Sequence, residues 1–113
     1  MTENDFRRLA LSLPGASENE HMGHPDFRVG GKIFATLMPE KGFAMVKLAP
    51  DEQEALVEAK PEVFSPVPGG WGRGGATRVH LRAATKATAR EGLVTAWRHR
   101  ATKSLLAELD RKK

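Results

Sequence analysis

Asp26-Phe27-Arg28-Val29-Gly30-Gly31-Lys32-Ile33-Phe34-Ala35-Thr36-Leu37-Met38 is the stretch that decides the fold. Two runs of alternating character flank a glycine pair, and the primed turns of a two-residue hairpin need the positive φ that glycine adopts without strain. Pro39-Glu40-Lys41-Gly42 makes a second turn, and Phe43-Ala44-Met45-Val46-Lys47-Leu48 returns as a third strand of an antiparallel meander. With Gly30-Gly31 as the loop, Val29 pairs with Lys32, Arg28 with Ile33 and Phe27 with Phe34. With 39–42 as the second loop, Met38 pairs with Phe43, Leu37 with Ala44, Ala35 with Val46 and Phe34 with Lys47. One face then carries Ile33, Ala35, Leu37, Ala44, Val46 and Leu48, an aliphatic set that belongs under helices. The other carries Phe27, Val29, Phe34 and Phe43 with Thr36, Met38 and Met45, and the cations Lys32 and Lys47.

Outward from the meander, Thr2-Glu3-Asn4-Asp5 resembles a capping box with aspartate in place of glutamate. Phe6, Leu9, Ala10 and Leu13 follow at helical spacing, which predicts a helix over about 2–13 stopped by Pro14-Gly15. Residues 17–22 read as a short strand entering a turn at Gly23-His24-Pro25. Pro50-Asp51-Glu52-Gln53-Glu54 opens a central helix, with proline in its first turn and carboxylates at the positive end of the dipole; Leu56 and Val57 are its expected buried residues. Residues 63–67 and 77–81 are strand-like. Between them lies Pro68-Gly69-Gly70-Trp71-Gly72-Arg73-Gly74-Gly75. From 85 to 112 the pattern is helical, with a break near Arg100-Ala101-Thr102. The expected fold is an α+β two-layer sandwich, an antiparallel meander sheet with N-terminal, central and C-terminal helices, in a single domain over 1–113.

The chain has 113 residues, 40% of them hydrophobic and 28% charged, which supports a modest core and excludes a disordered composition. No apolar run approaches the roughly 20 residues of a spanning helix, and the start is not signal-like, so the expectation is a cytoplasmic protein without a membrane partner. The absence of cysteine excludes disulfides, thiolate metal sites and cysteine nucleophiles. The net charge of +4 is unevenly spread. Residues 1–63 hold seven Lys or Arg against eleven Asp or Glu, a net of −4, whereas residues 64–113 hold eleven against three, a net of +8. A back half this basic suits a polyanion, and it also suits an ordinary solvated helix surface.

The mixed sheet face admits two readings. Aromatic rings interleaved with cations are what a nucleic acid needs, because bases stack on rings while ammonium groups track phosphates; alternatively, C-terminal elements cover the face as a second core. His21, His24 and Asp26 lie within six residues, but no second ligand pair appears, and His80 and His99 stand alone, so no metal or other cofactor is expected. The glycine-rich stretch lacks the Gly-Lys-Ser/Thr ending of a phosphate loop. It reads either as a flexible wing carrying Trp71 and Arg73 or as a bulged edge over which Trp71 packs. On the last helical stretch Lys86 and Arg90 share a face, while Arg98, Arg100 and Lys103 add a second cluster. Ser12, Ser17, Ser65 and Ser104 lie in no nucleophile elbow and no carboxylates are paired for acid–base work, so no enzyme activity is expected.

Leu11-Ser12-Leu13-Pro14-Gly15-Ala16 with Glu18 and His21, then Phe27 to Ala35 through the glycine hairpin, resembles the MmcQ/YjbR family. Pro50 opening an acidic helix, Gly70-Trp71-Gly72, residues 77–81, and Ala96-Trp97-Arg98 followed by Ala101-Thr102-Lys103 continue the pattern in order. The resemblance implies a CyaY-like fold and a DNA-binding role, with Phe27, Lys32 and Phe34 in the first hairpin, Trp71 as the aromatic of a second wing, and Lys103 as a basic residue near the chain end. The chain departs from the pattern at Thr102, where proline is common, and at Ala76, where a bulkier residue often follows the glycines. Residues and resemblance together give the expectation of a small non-enzymatic DNA-binding protein of low sequence specificity. Its expected contacts are Arg28, Lys32, Phe34, Lys47, Trp71, Arg73, Arg78, Arg82, Lys86 and Lys103. The competing expectation is a protein-interaction or small-ligand module on the same sheet face, and the small size is compatible with a homodimer.

Overall fold

The computed structural model describes residues 1–111; Lys112 and Lys113, part of the basic back half, lie outside them. Helix α1 (Glu3–Leu11) starts at the expected capping box: the Thr2 hydroxyl accepts from Asp5 N at 3.1 Å and the Asp5 carboxylate accepts from Thr2 N at 3.0 Å. Two orphan donors of the first turn are thereby satisfied. Strands β1 (Ser17–His21), β2 (His24–Val29), β3 (Lys32–Met38) and β4 (Phe43–Lys47) form the meander, with a 3-10 turn at Pro39–Lys41 between the last two. The turn before β2 is Met22-Gly23, one residue earlier than expected, and both residues have positive φ. His24 and Pro25 are already strand.

The chain then leaves the meander. Helix α2 (Pro50–Ala59) leads to β5 (Phe64–Pro66), a single helical turn α3 (Gly70–Arg73) and β6 (Ala76–His80), and the last of these inserts beside β4. The six-stranded antiparallel order is β1-β2-β3-β4-β6-β5. Helices α4 (Lys86–Arg100) and α5 (Lys103–Arg111) complete the chain, divided where Ala101 turns extended and Thr102 Oγ1 accepts from Leu105 N. α4 packs on β3 and β4, and α1 packs on α4. Helices α1 and α4 thus lie against one face of the sheet, the α+β sandwich expected.

The expected register holds on both sides of the glycine turn and then changes. Val29 faces Lys32 and Arg28 faces Ile33, but Phe27 faces Ala35 and Asp26 faces Thr36. A β-bulge at this step sets Phe34 and Ala35 together opposite the single residue Phe27. Past the bulge, the pairs Ala35–Val46, Leu37–Ala44 and Met38–Phe43 are as expected. The consequence is a partial exchange of faces: Phe27, Val29 and Phe34, expected on the open side, are fully buried in the core, and Ile33, still opposite Arg28, leaves the helix-covered side. Phe27 meets Phe6 of α1 edge-on at 6.1 Å. The reason is apolar area. Two phenylalanines and a valine placed under α1 and α4 leave water, at about 1.5–3 kcal/mol for each side chain, and one extra residue in β3 is the local distortion that permits it.

Trp97 of α4 is wholly buried, its indole N–H donating to Pro14 O at 2.9 Å. α2 behaves differently from its expectation. Leu56 and Val57 are only half-buried, and the buried residue is Gln53, because α2 lies beside the edge strand β5 rather than over the middle of the sheet. The Gln53 amide donates to Ala76 O at 2.9 Å and to Thr77 Oγ1 at 3.1 Å, tying α2 to the start of β6.

Candidate functional site

The face of the sheet turned away from the helices carries two neighbouring rows. One runs Asp26–Thr36–Met45–Arg78–Ser65 across five strands, and the next runs Met38–Phe43–His80. Phe43 is the aromatic floor. The Arg78 guanidinium lies 4.5 Å from its ring centroid and the His80 imidazole meets it edge-on at 6.4 Å. His80 is not alone as expected: its Nε2 shares a hydrogen bond of 2.7 Å with Ser65 Oγ on β5. The sequence spacing of 15 residues hides this pair, which depends on β5 and β6 being neighbours.

The glycine-rich stretch forms a single helical turn, and the strands on either side of it pair without a bulge. α3 holds one helical turn against Val67, with Arg73 N donating to Gly69 O. A Cβ on Gly72 would lie 1.7 Å from Val67 O, and a Cβ on Gly75, whose φ is +110°, would lie 1.9 Å from Leu48 O. Only glycine allows both backbones to approach so closely. This pins the turn that carries Trp71, which is 68% exposed and stands with the Lys47 ammonium 5.0 Å from its ring centroid. Trp71 walls two depressions. On one side is a groove of about 350 Å³ floored by Met38, Phe43 and Met45 and flanked by Lys41 and Arg78. On the other is a cleft of about 430 Å³ lined by Lys47, Ala49, Gly74, His99 and Arg100. His99 contacts the Glu52 carboxylate across the back of the cleft. Arg78 Nε and Arg100 Nε are both buried and hydrogen-bond to no described residue.

Asp26 is the acidic member of these rows, and its buried carboxylate is already committed. Arg28 donates to it from Nε at 2.8 Å and from a terminal nitrogen at 3.1 Å, and His21 Nδ1 lies 2.7 Å away. These bonds, Arg28 first, hold the Asp26 carboxyl below its usual range despite burial, and Asp26 in turn raises the Arg28 guanidinium. Arg28 is therefore a structural partner and not a free cation. His24 pairs with Glu40 at 3.5 Å, and no group of three metal ligands comes together among the described residues.

Of the expected contacts, Lys47, Trp71 and Arg78 meet here, with Arg73 exposed on the same turn as Trp71. The others disperse. Phe34 is in the core, and Lys32 sits at the hairpin tip opposite Val29, on the helix-bearing side. Arg82 lies beside Met1 to Asn4, Lys86 beside Asp5 and Arg8, and Lys103 opens α5. The expected contacts do not include Lys41, nor Arg100, which the sequence places in the basic cluster with Arg98 and Lys103; both come to Trp71 only when the 3-10 turn and the end of α4 converge on it.

The YjbR family model matches residues 11–99. The chain belongs to the YjbR family. The structure is similar to that of the Deinococcus radiodurans protein DR2400, with its family-model domain DUF419, at a TM-score of 0.73 and 20% identity, covering 96% of this chain and 88% of that one. At that identity the likeness shows the fold of this YjbR protein and nothing more. No curated protein sequence matches it. Among the described residues of the YjbR chain no helix is long and apolar enough to cross a membrane.

Proposed function

We propose that this YjbR protein is a non-enzymatic nucleic-acid-binding module whose contact surface is the open sheet face around Trp71. The observation that carries the proposal is a single one: a large aromatic ring, two-thirds exposed on a sterically pinned turn, with Lys47 over it and Arg78 and Lys41 in the adjoining groove. A soluble surface gains nothing from an exposed indole, whereas a nucleobase stacks on it and phosphates meet the cations. Phosphate contacts dominate the affinity, and one stacking ring with flanking cations reads little base sequence. Arg82 and Lys86 add only a diffuse positive field, because they lie beside the N-terminal residues and α1, away from the ring.

The same apolar floor of Met38, Phe43 and Met45 also suits docking of a protein or small ligand. Salt separates the two uses, since phosphate neutralisation gives a linear fall of log affinity with log salt and apolar docking does not. Anisotropy titrations of labelled mixed-sequence DNA, single- and double-stranded, from about 50 to 200 mM salt decide it. Binding that weakens steeply and is reduced in Lys47→Gln and Arg78→Gln supports the proposal. Absence of binding at the lowest salt overturns it.

A further inference from the structure

We infer that the ligand of the Trp71 face is a single strand, held with a base in the groove and its neighbouring phosphate in the cleft on the far side of the ring. The inference rests on the nucleic-acid reading above and adds the strand class and the second contact. Trp71 is the shared wall of two depressions of opposite chemistry. The groove is apolar where Met38 and Met45 border Trp71, and it takes an unstacked base against that exposed ring. The cleft is polar and cationic, with Lys47, His99 and Arg100 around it. Each side also holds a guanidinium nitrogen that is buried and hydrogen-bonds to no described residue, Arg78 Nε by the groove and Arg100 Nε by the cleft. Both side chains are only partly buried, so each keeps a cationic guanidinium beside the ring for the acceptors of a strand.

A base offers a flat face for stacking and a phosphate offers acceptor oxygens, and only a strand with splayed bases presents a free base face and a phosphate within one nucleotide step. In a duplex the base faces are stacked on one another, which would leave the exposed ring of Trp71 and the apolar groove beside it without a partner. The acidic groups nearby do not oppose the strand: Asp26 is buried and neutralised by Arg28, and Glu52 is bound to Ala49 N and in contact with His99.

The test compares a short labelled oligothymidylate with a duplex of matched length by anisotropy at about 50 mM salt. The expected result is tighter binding of the single strand by about tenfold or more, the size of one stacked base. Trp71→Ala abolishes that preference, and Arg100→Gln and Lys47→Gln each flatten the single-strand salt slope by about 0.7. Trp71 is exposed, so its variant folds, and a denaturation curve confirms folding for the other two. Duplex binding equal to or tighter than single-strand binding, or a preference that survives Trp71→Ala, overturns this inference while leaving nucleic-acid binding intact. Failure of both probes to bind overturns both.

Discussion

Two adjacent rows of the sheet, one residue apart on every strand, have opposite fates. Phe27–Ala35–Val46–Thr77 lies under α1 and α4 with no side chain more than marginally exposed, and its one polar member, Thr77, donates to Gly75 O and accepts from Gln53. Asp26–Thr36–Met45–Arg78 lies on the opposite face, with Asp26 and Thr36 buried and Met45 and Arg78 half-buried, and two of its four members are charged. The covered row is held by apolar contact, which is non-directional and tolerates no charge. The open row is held by directed pairs, Arg28 on Asp26 and Arg78 on Phe43, and these leave unused bonding capacity at its Trp71 end. The contrast shows that the bulge at Phe34 is what gives the two faces their separate characters. Without it Phe27 and Phe34 would sit among the cations and the core would lose its largest rings at that end.

The substitution that breaks this contrast most severely is Phe34→Ala. With the side chain fully buried, truncation costs about 3–5 kcal/mol of stability, read from the denaturant midpoint at constant slope. A loss below about 1 kcal/mol, accompanied by weakened nucleic-acid binding, would place Phe34 on the open face as its sequence position suggests. That position also marks where the sequence stops being legible. The pairs next to Gly30-Gly31 and those beyond Ala35 follow from local turn chemistry and alternation, and they are as read. The bulge depends on what α1 and α4 need to bury, which no local pattern encodes. For the same reason the capping box, the break at Ala101 and the pinned turn's glycines could be seen in the chain, whereas Trp71 meeting Lys47 and Arg100, or Ser65 meeting His80, required β6 to insert between β4 and β5.

Gly72→Ala attacks the open side by displacing α3 from Val67. The added methyl would overlap Val67 O, so the turn must shift, at about 1–3 kcal/mol. Gly70→Ala is the control. Its Cβ meets nothing closer than Arg73 at 3.5 Å, and it should be neutral or slightly stabilising. Equal effects of the two substitutions would show that the turn is not pinned by contact with Val67.

Asp26→Asn removes the charge that organises the open row while leaving the covered row intact. Stability falls by about 1.5–3 kcal/mol at neutral pH, the range for hydrogen bonds to charged groups. The sign with pH follows from the lowered carboxyl. The folded protein holds this proton less tightly than the unfolded chain, so its contribution is complete above the unfolded value, roughly 3.9, and disappears as pH falls through the lower folded value. The gap between the parent and Asp26→Asn therefore narrows in acid. A gap that stays constant down to about pH 2 would mean that Arg28 and His21 are held by something other than the carboxylate.

The smallest expected effect on stability is the most informative about the open face. Trp71 is exposed and its ring touches the rest of the molecule chiefly through Lys47, so Trp71→Ala should change unfolding free energy by no more than about 0.5 kcal/mol. A surface cation–π contact contributes on that scale, and losing it frees Lys47 rather than stranding it. Trp97, buried and bonded to Pro14, gives the opposite expectation for the other tryptophan in the chain. Near-neutral stability together with lost nucleic-acid affinity would separate the ring's binding role from any structural one. A loss comparable to that of Phe34→Ala would instead make Trp71 a packing residue, and the two faces would then differ in charge but not in purpose.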